Sequence, residues 1–140
     1  MSGSKACVAR TFLGVLVATG LLLGPAVTGR AAVPRLLVMD LPYARVWEGT
    51  VRALAGYPLA RASDGVIETA RMERAPLPEE GSLERVAERV TVRVEAVADK
   101  VTRVTVTVEA EALRDGSWRV IDAPPTTART ILDRIRASIG

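Results

Sequence analysis

From Arg89 to Leu113 the chain reads RVTVRVEAVADKVTRVTVTVEAEAL, in which apolar and polar residues alternate on both sides of one turn-like patch. Alternation with a period of two is the signature of a strand with one buried and one solvated face. Val90, Val92, Val94 and Ala96 share one face of the first run; Val104, Val106, Val108, Ala110 and Ala112 share one face of the second. A tight two-residue loop at Asp99-Lys100 pairs position 95 with 104 and sets a polar residue opposite a buried valine. Matching the faces requires an odd-length loop or a bulge. A three-residue loop, Ala98–Lys100, pairs Val97 with Val101, Val94 with Val104 and Val92 with Val106. It also sets Glu95 beside Arg103, Thr91 beside Thr107 and Arg89 beside Glu109, pairs that stabilise a ladder. That register is the expectation.

The valine face needs a cover, and two helical stripes supply it. Tyr43, Val46, Trp47, Thr50, Val51 and Leu54 recur at helical spacing after Pro42, which suits a first helical position. Ala128, Ile131, Leu132, Ile135 and Ile139 form a second stripe after Pro124-Pro125, with Thr126 or Thr127 as its cap. Helices are expected at about 42–55 and 126–139. Arg35–Asp40 reads as a short buried strand. Asp64-Gly65 is a strong hairpin signal between strands at Tyr57–Ala62 and Val66–Met72. Glu73–Arg85, with two prolines, a glycine and several carboxylates, reads as a long, solvated acidic loop that is mobile or functional. The run after Asp115-Gly116 leaves open whether residues 117–122 add a strand. The sum is an α+β fold: a two-layer sandwich with a mainly antiparallel sheet of 4–6 strands and both helices on one face.

Upstream, Lys5 and Arg10 precede an apolar run, Thr11–Gly24, which Pro25 breaks before the small residues of AVTGRAA. A basic start, a short apolar core and a small-residue exit read as a secretory signal over residues 1–32, cleaved somewhere in 29–32. The alternative is an uncleaved inner-membrane anchor at 11–24, the only membrane contact the sequence offers. Residues 33–140 then form a single domain. Lys5, Arg10 and Arg30 are three of the 19 basic residues and no acidic residue precedes Val33, so the chain from Val33 onward carries 16 of each sign. The net charge of +3 belongs to the leader, and nothing points to nucleic acid. The single cysteine, Cys7, precedes the apolar core, so it is no lipoprotein cysteine, and the exported form holds no disulfide.

Histidine is absent, which removes Ser-His-Asp and Cys-His machinery and histidine metal sites. A Ser–Lys pair has only Lys100 to use, at an expected turn tip. No carboxylate run has calcium-loop spacing. No catalytic residue, metal site or cofactor is expected. The remaining candidates form an interaction surface: Glu79 and Glu80 on the acidic loop, Arg89, Arg93 and Arg103 on the polar ribbon face, and Trp118 just past a turn.

The segments PYARVWEGTVRAL, DGVIETARM and ARTILDRIRASI, in that order around paired long strands, resemble BamC-like periplasmic domains of the helix-grip type. Val46, Trp47, Asp64–Thr69, Ile131, Leu132 and Ile135 carry the likeness. It implies an envelope-located, non-enzymatic domain whose partner is another envelope protein, reached through the Glu73–Arg85 loop or an exposed sheet edge. The chain departs from the lipoproteins of that group in lacking a cysteine after its apolar core. The second reading is a small-molecule or lipid carrier, with a pocket between helix and sheet and Trp47 at one wall.

Overall fold

The computed structural model describes residues 32–140; the leader and its cleavage region through residue 31 lie outside them. The elements run β1 (Arg35–Met39), α1 (Tyr43–Ala53), β2 (Leu59–Ser63), β3 (Val66–Thr69), β4 (Met72–Arg74), β5 (Arg85–Ala98), β6 (Val101–Arg114), β7 (Ser117–Ile121) and α2 (Pro125–Ile139). The α+β class and two-layer packing are as expected, with seven strands where 4–6 were anticipated. Two additions account for the difference. Ser117–Ile121 pairs with β6, and Glu73 and Arg74, read as the head of a loop, join Met72 in a separate strand that pairs with β5.

Strands β5 and β6, 14 residues each, form a spine about 45 Å long. Each outer edge of the spine carries two short strands end to end: β3 and β4 along β5, β1 and β7 along β6. Every pairing is antiparallel. Between β3 and β4 the ladder skips, and the hydroxyl oxygen of Thr69 accepts the Val90 N–H at 3.0 Å in its place. That skip ends β3 at Thr69, short of the Met72 expected.

The spine register matches the face argument, with Val94 opposite Val104, Val92 opposite Val106, Glu95 opposite Arg103 and Arg89 opposite Glu109. The turn differs. Ala98 pairs with Val101 across a two-residue loop, and a bulge at Val97 supplies the odd residue. Neither Asp99 nor Lys100 has a positive φ, whereas Asp64-Gly65 (φ 53 and 74) and Asp115-Gly116 (φ 51 and 73) do. Those two pairs make primed turns whose twist matches the right-handed twist of the strands they join; Asp99-Lys100 does not, and the bulge absorbs the mismatch. Gly65 is needed for a second reason: a Cβ there would stand 2.7 Å from the Val94 carbonyl oxygen.

Both helices lie on the valine face. Val46, Leu54, Ile67, Val90, Val92, Val104, Val106, Ile131 and Ile135 are fully buried in one cluster. Each such side chain contributes about 1.5–3 kcal/mol of burial. Ala96, at the far end of the β5 face, is exposed instead. Tyr43 and Trp47 pack against this core as a stacked pair, ring centroids 6.3 Å apart. The helices touch through Gly49 and Ile139, where a Cβ on Gly49 would overlap the isoleucine side chain. Prolines set both starts from just outside, with Pro42 and Pro124 in extended conformation at the caps. Thr126 and Thr127 therefore lie inside α2, and neither caps it. Among the described residues no helix is long and apolar enough to cross a membrane.

Candidate functional site

The valine face of β5 carries one charge. Glu88 falls between Val86 and Val90 on the inward parity, and its side chain is 5% exposed. A carboxylate there is costly unless every oxygen is engaged. It accepts from the Thr127 hydroxyl at 3.0 and 3.1 Å and from Arg74 Nη2 at 2.8 Å. Arg74, on β4, also forks onto Glu80, with Nη1 to Oε2 at 2.6 Å and Nη2 to Oε1 at 2.8 Å. Glu80 closes the chain by accepting the Leu77 N–H at 2.7 Å. Four segments are thereby tied: β4, β5, the 3₁₀ turn Pro78–Glu80 and the first turn of α2.

Two carboxylates share one guanidinium, a net charge of −1. α2 has no acidic residue in its own first turn, so Glu88 supplies the negative charge that this positive helix end favours. The fork from Arg74 holds the Glu80 carboxyl below its ordinary range, against the opposing effect of burial, and the Leu77 N–H adds to it. Arg74 is held protonated more firmly than a free arginine, first by its bonds to Glu80. Its Nε is buried and, among the described residues, makes no hydrogen bond.

The six residues expected on the surface do not form one site. Glu79 and Glu80 diverge: Glu79 is exposed, and Glu80, read as part of a solvated loop, is buried against Arg74 because the 3₁₀ turn folds it back. Arg103 pairs with Glu95 at 3.0 Å. Arg93 lies one residue pair away on the same outer face, exposed, and Arg89 follows about 13 Å along β5. Trp118 lies at the opposite end, opposite Leu113, which pairs with Arg85. It is half-buried under a guanidinium that sequence reading missed: Arg71 stands 4.2 Å from the ring centroid. Arg71 also bonds Glu73 at 3.1 Å and Glu111 at 3.3 Å, and Arg85 reaches Glu73 at 3.0 Å. Ala87, between Glu73 and Glu111 in the ladder, is 2% exposed.

Two open depressions lie at the margins of the layers, and neither is at Trp47. The larger, about 930 Å³, lies where β1 and β7 part along β6 and reaches under the start of α2, with Arg35, Arg89, Val108, Ala110, Pro125 and Ala128 among its walls. The parting has a local cause. β7 ends opposite Ala110 and β1 begins opposite Val106, and Pro34 has no N–H with which to extend β1 backward across the gap. The smaller, about 340 Å³, sits over the ionic cluster, with Tyr57, Met72, Arg74, Leu77, Glu88 and Thr130 among its walls. Among the described residues no three Asp, Glu, His or Cys side chains are grouped to hold a metal ion.

No protein-family profile matches the chain, and no curated protein matches it. Solved structures do. A TBP-like protein from Parabacteroides distasonis superposes with a TM-score of 0.53 at 7% identity, over 77% of this chain and 92% of that one. A protein from Nitrosospira multiformis gives 0.42 at 16% identity over 77% and 95%. An aromatase/cyclase from a Streptomyces species gives 0.31 at 14% identity over 76% and 84%. The first likeness establishes the fold, an open antiparallel sheet with two helices on one face, of the helix-grip type.

Proposed function

We propose that this chain is an exported, non-enzymatic accessory domain of the bacterial envelope, BamC-like in kind, that works by docking another envelope protein. The observation that carries the reading is the state of the interior. Between sheet and helices Val46, Val92, Val106, Ile131 and Ile135 are fully buried in one packed cluster, and the two buried carboxylates are both committed to Arg74. Such an interior offers no free acid, base or nucleophile to a substrate. What it presents outward is a mixed-charge sheet face with Arg89, Arg93, Arg103 and the Arg71–Trp118 stack, a composition suited to complementary docking.

The test is affinity capture from an envelope extract at physiological salt. The expected result is one specific partner, lost when Arg89→Glu and Arg93→Glu are introduced together. Recovery of no partner, or capture indifferent to that change, overturns the reading. N-terminal sequencing of the purified protein tests export separately, with a start between residues 30 and 33 expected. A carrier of the kind the sequence also permits needs an apolar chamber of about 300 Å³ or more between the layers. Both depressions reach that volume beside the start of α2, but they are open and carry charged walls (Arg35, Arg89 and Glu109 in one, Arg74 and Glu88 in the other), while Trp47 packs against filled core, which favours the docking reading.

A further inference from the structure

The connection from β4 to β5, residues 75–83, is held to the rest of the fold through one side chain. Among the described residues no backbone hydrogen bond joins it to a strand or a helix. The Glu80 N–H donates to the Leu77 carbonyl within the connection itself, and the bond from the Glu84 N–H to the Leu113 carbonyl, at 3.1 Å, lies beyond its end. Its polar ties to the body all run to Arg74, which donates to the Ala75 carbonyl at 3.1 Å and forks onto Glu80 at 2.6 and 2.8 Å. Apolar ties are few: Pro76, Leu77 and Leu83 are half-buried, and the rest, Glu80 apart, are exposed. A segment with so little burial and one polar anchor opens at a free energy below that of global unfolding.

The connection also has the parts of a hinged arm. Pro76 and Pro78 fix φ on either side of Leu77 and stiffen the chain up to Glu80. Gly81 follows at φ 67 and ψ −133, a conformation that residues with a side chain rarely adopt. Leu77, on the arm, walls the depression of about 340 Å³, with Tyr57, Met72 and Thr130 among its other walls. Charge makes Glu80 the joint that parts most readily. Arg74 serves two carboxylates. When Glu80 leaves for water it regains hydration, and Arg74 stays with Glu88 as a neutral pair, on which the Thr127 hydroxyl still rests. That differs from deleting a partner inside the cluster, which strands a buried charge.

We infer that residues 75–83 are a strap latched by Glu80: the arm swings out about Gly81 while the sheet and helices stay folded, opening the depression at the start of α2 on the side that Leu77 now walls. The motion goes beyond the docking reading above and does not use the outward face on which that reading rests.

The test is native-state hydrogen exchange at neutral pH, read residue by residue over a series of low urea concentrations, on the protein expressed from its first residue. The Leu77 and Glu80 amides report the latch, since each is bonded in the closed strap and a lone turn of three residues does not hold its bonds in water. Both are expected to be protected and to exchange through an opening that urea does not promote, whereas amides of the β5–β6 spine exchange through one that urea does promote. Glu80→Gln removes the charged half of the fork and is expected to speed exchange at Leu77 and Glu80 about tenfold or more. Glu79→Gln, which removes the exposed carboxylate next to it, is expected to leave that exchange unchanged. Strap and spine amides that respond to urea alike overturn the inference, as does a strap that exchanges as fast as a free peptide. So does a Glu80→Gln chain whose strap exchanges at the parent rate, or a Glu79→Gln chain that matches Glu80→Gln. Should Glu80→Gln fail to fold, the urea series on the parent chain decides the point by itself.

Discussion

The carboxylate of Glu88, on the middle strand of the sheet, rests on the hydroxyl of Thr127, in the first turn of the last helix, at 3.0 Å. This contact crosses the two layers at the end where apolar packing gives way to charge. Arg74 and Glu80 complete the cluster from the other side. Its members stand or fall together, because each buried charge is tolerated only through its neighbours.

Removing the guanidinium is therefore expected to cost more than removing the whole cluster. Arg74→Met leaves two carboxylates buried side by side and should destabilise the fold by about 3–5 kcal/mol. Replacing all three charges with apolar residues, as Arg74→Met, Glu80→Leu and Glu88→Leu, should recover most of that loss. Urea unfolding of the two variants at neutral pH decides the order. A single variant as stable as the triple contradicts the account.

Acid should loosen the same end of the molecule. The Glu80 pKa is lower in the folded chain than its ordinary value of 4.5. A depressed folded pKa adds stability that is complete above the unfolded value and is withdrawn as pH falls toward the folded one. Unfolding free energy should thus decline as pH drops below about 4.5, and Glu80→Gln should flatten that part of the profile. Denaturant titrations from pH 3 to pH 7 read the difference directly, using the wild-type chain as reference.

The helix pair has one point of close approach. A methyl group on Gly49 overlaps Ile139, so Gly49→Ala trades a helix-propensity gain of about 1 kcal/mol for an overpacking cost of about 1–3 kcal/mol. The net expectation is destabilisation. Ile139→Ala in the same chain should relieve it, because the overlap is with Cγ1 of the isoleucine, an atom that Ile139→Val would keep. A double-mutant cycle by thermal unfolding measures the coupling. Additive effects would mean the two residues do not meet.

What was legible in the sequence follows from which rules are local. Period-two alternation assigned the inward faces of β5 and β6, and helical spacing found Val46 and Ile135, because both depend only on neighbours along the chain. Asp64-Gly65 and Asp115-Gly116 announced their turns through the backbone freedom of glycine. The ionic cluster was hidden for the opposite reason. Arg74, Glu80, Glu88 and Thr127 meet only once the sheet and helix have closed; Arg74 and Glu80 lay in a segment read as loop, Thr127 was read as a cap, and Glu88 fell between that loop and the ribbon. One signal was present: Glu88 continues the parity of Val90, Val92 and Val94 onto the buried face, but the alternation was followed only from Arg89, one residue past it. A buried charge implies a partner, and Arg74 was available within the segment taken for a solvated loop. Arg71 was missed because its place depends on β4, a three-residue strand too short for periodicity to reveal.

The hairpin at the tip of the spine offers the sharpest check on that reasoning. Its faces agree only because the Val97 bulge offsets a two-residue loop that lacks left-handed residues. Val97 itself is 59% exposed, so its side chain contributes little to the core. Deleting Val97 keeps Val94 opposite Val104 but forces the untwisted Asp99-Lys100 turn onto a regular ladder. That variant should lose stability. Adding Asp99→Asn and Lys100→Gly supplies the primed turn that a bulge-free two-residue hairpin prefers, and the loss should then be recovered. Chemical denaturation ranks the three chains. If the deletion alone is as stable as the parent, the bulge does not serve to match turn and twist, and the register must be held by the valine pairs unaided.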